Sequence, residues 1–296
     1  MIDQLVNSKN RIIIQGATGR EGQRAVKFMT AYRTSILAGV TPGKGGQTVE
    51  NIPVFNSCLE VVSALGPIDG TSLYVPPLAM KSAATEAIEA GVKFIHILTE
   101  GIPYLDIAYI LQLCQAHQVT LLGPGSLGML VTDQGRICMI GGDDPAAIYR
   151  PGRLSIISRS GGMTNDIANF LSHNNIGIRA AIHLGSDVIC GTSLADAVHW
   201  LINDAQTDKI VIFEEITYNN LTDLADYLAA HPTSKKIYLM VVGEKTLSAM
   251  PPKRSFGHVD VLIKKRLIDQ DALKSIRDSG VVISSSYDKL LRFTNN

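Results

Sequence analysis

Apolar residues along the chain fall into two alternating patterns. Short, almost continuously apolar runs rich in β-branched residues predict buried strands at residues 11–15, 35–40, 70–75, 94–98, 120–122, 153–158, 178–184, 209–214, 236–242, 259–263 and 280–283. Between them, apolar positions recur with helical spacing, which predicts amphipathic helices at residues 21–32, 81–90, 104–117, 163–173, 193–203 and 221–230. Strand and helix are therefore predicted to alternate through most of the chain.

This alternation predicts an α/β fold in which parallel sheets are connected by crossover helices. Because the strands are apolar at nearly every position, both faces of each sheet should be covered, as in doubly wound folds. Glycines, prolines and aspartates interrupt the pattern over residues 143–152, after which the cycle of strand and helix begins again. We expect two α/β domains, residues 1–150 and residues 151–296.

Composition narrows the classes of function. The chain has 27 basic and 27 acidic side chains, so it lacks the basic surplus that nucleic-acid binding usually needs. No run approaches the roughly 18 apolar residues of a membrane helix, and the polar N-terminus lacks the apolar segment of a signal peptide. The cysteines form no CxxC pair and the histidines show no metal-ligand spacing. We therefore expect a cytoplasmic protein with reduced thiols and no metal site.

A glycine turn, Gly16-x-x-Gly19-x-x-Gly22, follows the first predicted strand and opens a predicted helix. Glycines permit a tight turn, and the N–H groups at a helix N-terminus favour phosphate. The alternative is a tight turn without a ligand. NAD binding would require an acidic residue after the second strand. Lys44 lies there in a glycine-rich loop, which favours a ligand with an additional phosphate unless Lys44 is simply solvated.

Turn residues also follow the third, fourth and fifth predicted strands. Val75-Pro76, Leu98-Thr99-Glu100 and the glycine-rich run at 123–128 should all lie at the carboxyl edge of one parallel sheet. Open α/β sheets bind their ligands at this edge. The first half of the chain is therefore predicted to carry a ligand site.

Three features of the second half suggest chemistry. A serine turn, residues 158–161, leads into a helix. Its small residues either form a phosphate site or simply cap the helix. Glu214 and Glu215 end a strand, where they either orient a histidine or are solvated. His258 follows a long loop after the next strand. It is either a nucleophile or an ordinary surface or core residue.

Taken together, these motifs resemble the α subunit of succinyl-CoA synthetase and related acid–thiol ligases. The resemblance is collinear over nearly the whole chain. It is carried by Thr41-Pro42-Gly43-Lys44-Gly45-Gly46, by Ile52-Pro53-Val54-Phe55-Asn56, by Thr99-Glu100-Gly101-Ile102-Pro103, by Ser158-Arg159-Ser160-Gly161 and by Gly257-His258, where the family has its phosphorylated histidine.

The resemblance implies a Rossmann-like CoA-binding domain followed by a flavodoxin-like, doubly wound ligase domain. It also implies a partner β subunit with an ATP-grasp site for ATP or GTP with Mg. In such enzymes the nucleotide phosphorylates the histidine, the phosphoryl group passes to a carboxylate, and CoA attacks the acyl phosphate. An imidazole is a competent nucleophile near neutral pH.

Roles carried over by position follow the family. The residues implied for CoA are Gly16, Ala17, Thr18, Gly19, Lys44, Val75, Pro76, Leu98, Thr99 and Glu100. Ser158, Ser160 and Gly161 would hold phosphate, and Asn165 stands at the position of the family's substrate-contacting tyrosine. Glu215 would orient His258, the phosphoryl carrier.

The chain departs from the family pattern around the acyl substrate. The family's Pro-Asn-Cys-Pro-Gly is Pro124-Gly125-Ser126-Leu127-Gly128, and its Gly-Gly-Asp-Pro is Gly185-Ser186-Asp187-Val188. Residues 214–218 and the loop at 244–255 also differ. These changes indicate a different carboxylate substrate or a paralogue with weakened turnover. A CoA-binding module without catalysis and an NAD(P)-dependent oxidoreductase remain as alternative functions.

Overall fold

The computed structural model describes residues 2–215, 221–242 and 270–295. Its first half contains α1 (Ile2–Leu5), β1 (Ile12–Gln15), α2 (Arg20–Ala31), β2 (Ile36–Val40), β3 (Thr48–Val49), β4 (Ile52–Phe55), α3 (Cys58–Leu65), β5 (Gly70–Leu73), α4 (Met80–Glu89), β6 (Phe94–Ile97), α5 (Tyr104–His117) and β7 (Thr120–Leu122). A 3-10 turn, Pro77–Ala79, precedes α4. The predicted α/β alternation is confirmed here.

The remainder begins with a hairpin, β8 (Gly128–Val131) and β9 (Gly135–Cys138). It continues through α6 (Pro145–Ile148), β10 (Pro151–Ser158), α7 (Gly161–His173), β11 (Ile178–His183), α8 (Leu194–Ile202), β12 (Lys209–Glu215), α9 (Leu221–Ala230) and β13 (Lys236–Val242). The last described elements are α10 (Gln270–Asp278), β14 (Val282–Ile283) and α11 (Tyr287–Asn295). The strand predicted at 259–263 lies outside the described residues.

The first sheet has the strand order β3-β4-β2-β1-β5-β6-β7. It is parallel except for the short β3–β4 pair. From β4 to β7 this is the order of a Rossmann fold, in which the chain turns back between β1 and β5. The crevice outside the carboxyl ends of β1 and β5 is therefore the place where a ligand is expected.

The second sheet has the order β14-β13-β12-β10-β11-β8-β9. Strands β10 to β14 form a parallel, flavodoxin-like core whose switch point lies between β10 and β12. The hairpin β8–β9 adds to β11 in antiparallel orientation. This hairpin precedes residue 150 yet belongs to the second sheet, while the domain division at 150 stays a prediction.

Side chains of the hairpin also tie the two sheets together. Arg136 of β9 is fully buried and donates to the carbonyl of Phe28 in α2, from Nε at 3.0 Å and Nη2 at 2.8 Å. Its Nη1 donates to the Gly142 carbonyl at 2.7 Å. Apolar residues of α2, β8 and β11 share one core cluster. These contacts therefore fix the position of the second sheet relative to the first.

No helix in the described parts of the chain has the length and apolar character needed to cross a bilayer. All four cysteines carry free thiols.

Candidate functional site

The glycine turn is built by backbone that only glycine accommodates. Gly16 has a φ of 79°, and a Cβ atom there would lie 2.8 Å from the carbonyl oxygen of Tyr74. Its N–H donates to the Val40 carbonyl at 2.8 Å. A Cβ on Gly22 would collide with the Gly16 carbonyl oxygen. These glycines bring β1, β5 and the start of α2 into close contact.

A cavity of about 570 Å³ opens at this turn, within the size range of small-ligand sites. Its lining comes from the carboxyl ends of β1, β2 and β5 and from α4: Gln15, Gly16, Thr18, Gly19, Val40, Thr41, Pro42, Tyr74, Val75, Pro76, Ala79, Ser82, Ala83 and Glu86. Gly19 caps α2 without a side-chain hydrogen bond. The first-turn N–H groups of α2 can therefore serve an anion in the cavity.

Five residues implied for CoA line this cavity: Gly16, Thr18, Gly19, Val75 and Pro76. The other five do not. Ala17 is fully buried, Lys44 is exposed on its loop, and Leu98, Thr99 and Glu100 follow the neighbouring strand β6. The Thr99 hydroxyl donates to the Val75 carbonyl at 2.8 Å, which links this strand end to the cavity wall.

Sequence reasoning missed much of the polar lining. The carboxamide of Gln15 donates to the Ala83 carbonyl at 2.9 Å and accepts from the Thr71 hydroxyl at 3.0 Å. Thr41 accepts a long hydrogen bond of 3.4 Å from the N–H of Thr18. Glu86 accepts from the N–H of Cys58 at 2.7 Å. Gln15 and Thr41 adjoin predicted strand ends, but nothing in the spacing of α4 identifies Glu86.

The serine turn lies at the switch point of the second sheet. Ser158 ends β10 and is buried, while Ser160 caps α7 by accepting from the N–H of Met163 at 3.4 Å. The Ser158 hydroxyl accepts from the N–H of Ser160 at 2.9 Å. The Thr164 hydroxyl donates to the Ser160 carbonyl at 2.8 Å. The side chains therefore brace the turn, and an anion bound here would meet the N–H groups at the helix start.

Asn165 has a structural task in this site. Its carboxamide oxygen accepts from the N–H of Gly141 at 3.1 Å and from the Tyr149 hydroxyl at 2.8 Å. Tyr149 is buried, and burial raises the pKa of its hydroxyl. Asn165 thus joins α7 to the segment that leads into β10. Its predicted role in substrate contact stays a prediction.

The two glutamates at the end of β12 differ in exposure. Glu214 is fully buried, whereas Glu215 is partly exposed. Ser158 pairs with Phe213, so Glu215 ends its strand beside the serine turn. His258 lies outside the described residues, as does the loop that precedes it. The predicted contact between Glu215 and His258 therefore stays a prediction.

The carboxyl edges of the two sheets meet directly. The Ser186 hydroxyl, just after β11, donates to the Glu100 carboxylate at 2.6 Å. A Cβ on Gly125 would lie 2.5 Å from the Ser186 hydroxyl oxygen. On the same side, Arg159 of the serine turn donates to the Asp187 carbonyl at 2.5 Å. Glu100, implied for CoA, therefore joins the first site to the second.

Comparison with known proteins assigns both halves. Residues 7–101 match the CoA binding domain, and residues 151–295 match the succinyl-CoA ligase like flavodoxin domain. The alpha subunit of succinate–CoA ligase [ADP-forming] from Aquifex aeolicus is 31% identical over 261 residues, which cover 88% of this chain and 82% of that protein. The chain belongs to the succinate–CoA ligase alpha-subunit family. This confirms the resemblance and the predicted fold class.

Another member agrees with this assignment, and solved structures share the fold. The Staphylococcus aureus alpha subunit is 30% identical over 93% of this chain and 88% of its own length. ATP citrate lyase from Methanothrix soehngenii, solved with citrate and coenzyme A, superposes with a TM-score of 0.84 at 19% identity over 99% of this chain. This chain spans 50% of that lyase chain, and at such identity the likeness shows the fold alone.

A second solved structure has the same fold. Acetyl-coenzyme A synthetase 1 from Ca. Korarchaeum cryptofilum gives a TM-score of 0.76 at 16% identity, over 97% of this chain and 60% of its own. The chain thus has the fold and family of a CoA ligase alpha-type subunit, with CoA as a substrate of the family. This assignment favours a ligase over the NAD(P)-dependent oxidoreductase considered from the glycine turn.

Proposed function

We propose that this chain is the α subunit of an acid–CoA ligase that forms a nucleoside diphosphate and works through phosphorylated His258. The main support is the placement of two phosphate-suited turns at the switch points of two sheets whose carboxyl edges meet at Glu100 and Ser186. CoA would occupy the cavity of the glycine turn, with its phosphates at the start of α2. The acyl group would be activated beside the serine turn.

The chemistry follows three balanced transfers. A ring nitrogen of His258 attacks the γ-phosphorus of ATP or GTP, held with Mg on a partner β subunit of ATP-grasp type, and the nucleoside diphosphate leaves. A carboxylate oxygen then takes the phosphoryl group from the imidazole to form an acyl phosphate. The CoA thiolate attacks the acyl carbon, and inorganic phosphate leaves with the C–O bond electrons.

Residues of this chain have defined parts in the proposal. The α2 N-terminus binds phosphate of CoA through backbone N–H groups, and the exposed Lys44 adds a charge from its loop. The N-terminus of α7 holds the travelling phosphoryl group at the serine turn. Glu215 accepts a hydrogen bond from the ring of His258 and so orients it.

The test is thioester formation by the complete α–β complex with ATP, CoA and a panel of small carboxylates. The wild-type complex should form thioester with one class of acid. The His258→Asn complex should form none, although it should still bind CoA. His173→Gln, at an exposed site in α7, is the matched control and should leave the rate unchanged. Equal rates for wild type and His258→Asn would contradict the phosphohistidine route.

A second candidate is a CoA-binding subunit without turnover. It is favoured by Asn165, whose carboxamide oxygen is already bonded to Gly141 and Tyr149. This function predicts CoA binding at the glycine-turn cavity but no thioester from any acid in the complete complex.

A further inference from the structure

A buried histidine lies directly behind the serine turn. His183 ends β11 and is 2% exposed. Its Nδ1 accepts from the N–H of Leu127 at 2.7 Å, and its Nε2 lies 3.0 Å from the carbonyl oxygen of Arg159. An amide N–H can only donate and a carbonyl can only accept. The ring must therefore be neutral, with its proton on Nε2.

The contact with Arg159 fixes one peptide group at both ends. The carbonyl of Arg159 is held by His183, and the N–H of the same peptide, from Ser160, donates to the Ser158 hydroxyl at 2.9 Å. A peptide held at both ends cannot rotate without losing a buried hydrogen bond. This peptide leads into Ser160, the N-cap residue of α7, so its plane sets the direction in which the helix begins.

Packing against the turn adds to this restraint. Gly161, the first residue of α7, lies so close to Leu127 that a Cβ atom would collide with Leu127 Cδ1. The same Cβ position is 3.6 Å from Cε1 of His183. His183 thus contacts the serine turn by its hydrogen bond at Arg159, and its ring leaves little room for a side chain at Gly161.

Residues 126–127, which His183 contacts through the N–H of Leu127, also contact the first sheet. His96 of β6 is fully buried, and its Nε2 lies 2.9 Å from the Ser126 carbonyl oxygen. The Ser126 hydroxyl donates to the His183 carbonyl at 2.5 Å. Residues 126–127 are therefore held between one histidine of each sheet.

The contacts extend to the wall of the CoA cavity. Nδ1 of His96 is 2.7 Å from the Ser72 hydroxyl, which is 2.9 Å from the hydroxyl of Tyr74. Tyr74 lines the cavity. Buried and partly buried hydrogen bonds of Ser72, His96, Ser126 and His183 therefore connect the cavity wall to the serine turn.

We propose that His183 is a positioning residue for phosphoryl transfer, since its neutral ring holds the Arg159–Ser160 peptide and so aims the first N–H groups of α7 at the phosphoryl group. This inference rests on the proposed function of the serine turn. His183 sets the affinity for the phosphoryl group and the rate of its transfer. It does not set the affinity for CoA, whose cavity lies at the other end of the hydrogen-bond series.

Two substitutions separate the two contacts of the ring. His183→Gln places a carboxamide N–H where Nε2–H lies and keeps the bond to Arg159. His183→Asn is one methylene shorter, so it keeps an acceptor for Leu127 but does not reach Arg159. The Asn variant should weaken inorganic phosphate binding to the purified chain about tenfold, the effect of one lost hydrogen bond, while the Gln variant stays within about threefold of wild type.

CoA binding serves as the folding control, since both variants should bind CoA within about twofold of wild type, well below the effect of a lost hydrogen bond. In the complete complex, the Asn variant should lower kcat while KM for CoA remains unchanged. An Asn variant that binds phosphate like wild type would overturn the proposal, as would wild-type chain that does not bind phosphate.

A measurement on the wild type covers the case in which the Asn variant does not fold. Ring nitrogen NMR signals of His183 should show the neutral Nε2–H tautomer and should shift on addition of inorganic phosphate. Signals that remain unmoved by phosphate, or that report the other tautomer, contradict the positioning role. Failure of the ligase reaction with these phosphate effects intact would refute the proposed function and the effect of His183 on transfer, and would leave only its effect on phosphate affinity standing.

Discussion

The carboxyl edges of the two sheets differ in what their polar groups do. At the first sheet, a cavity opens beside the start of α2, and the hydrogen bonds of Gln15, Thr41 and Glu86 hold its wall. At the second, Ser158, Ser160, Thr164 and Asn165 are all engaged in internal hydrogen bonds. The first edge therefore encloses a shaped space of the size a small ligand needs. The second presents a braced backbone, so the proposed phosphoryl transfer would depend on how accurately that backbone is held.

The largest effect is expected from closing the first site. Gly16→Val places a side chain against the Tyr74 carbonyl and at a φ of 79°, which β-branched residues avoid. CoA affinity measured by calorimetry should fall by at least about a hundredfold, since strain and clash each cost on the order of 1–3 kcal/mol. Gly91→Ala is the control because Gly91 also has a positive φ, of 90°, but open space around it. Unchanged CoA affinity in Gly16→Val would place CoA elsewhere.

The buried histidines between the two edges should make stability depend on pH. Burial lowers the pKa of His96 and of His183 to about 4, from an ordinary value of 6.5. The unfolded chain therefore binds more protons between these values, and stability is lost as pH falls from about 6.5 towards 4. From about pH 7 to about pH 5.5, the two histidines together should lower the free energy of unfolding by about 2.5 kcal/mol.

Urea denaturation at these pH values checks this expectation. His183→Gln should remove about half of the pH dependence. Gln115→Ala, which changes no titratable group and lies at an exposed position in α5, should leave it unchanged. A wild-type chain equally stable at both pH values would show that these rings are not held neutral.

The sequence predicts those features of each edge that depend on residues close together in the chain. Strands such as residues 120–122 and 236–242 were predicted with their observed bounds, because continuous apolar runs report burial on both faces. The glycine turn was found because it requires a backbone that only glycine adopts. The hairpin β8–β9 was missed because its two strands follow each other without a helix between them, outside the strand–helix alternation on which the prediction rests.

The serine turn shows the limit of the same reasoning. Its serines and glycines indicate an anion site. The hydrogen bonds that brace this region, however, join residues distant in the chain, such as Asn165 with Tyr149 and His183 with Arg159. His183 carries no local motif, and only the parallel register of β10 and β11 places it opposite Ser158. Long-range pairing of this kind cannot be read from spacing along one chain.

Breaking the internal bonds of the second edge should cost stability and leave CoA binding intact. Asn165→Ala removes the acceptor of the Gly141 N–H and the Tyr149 hydroxyl, so the free energy of unfolding should fall by about 1–3 kcal/mol. CoA affinity should match wild type. Asn169→Ala, exposed on the same helix, is the control. A stable Asn165→Ala variant with altered carboxylate selectivity would instead make Asn165 a substrate contact.

The smallest effect is expected at the rim of the first site. Lys44 is exposed on its glycine-rich loop, so Lys44→Ala should weaken CoA binding only about threefold to tenfold at low salt. The difference from wild type should shrink as salt is added, since exposed charges are screened. Lys27→Ala, exposed on α2, is the control. Equal CoA affinities of Lys44→Ala and wild type at low salt would show that Lys44 does not contact CoA.

The central claim, that this chain carries a phosphoryl group between nucleotide and acid, is tested most directly by the intact mass of the α chain. The α–β complex is exposed to ATP, and then to CoA with a carboxylate. We expect the mass of one phosphoryl group to appear, to be absent in His258→Asn, and to disappear only when acid and CoA are both added. No adduct in the wild-type complex, or an adduct retained by His258→Asn, would contradict the account.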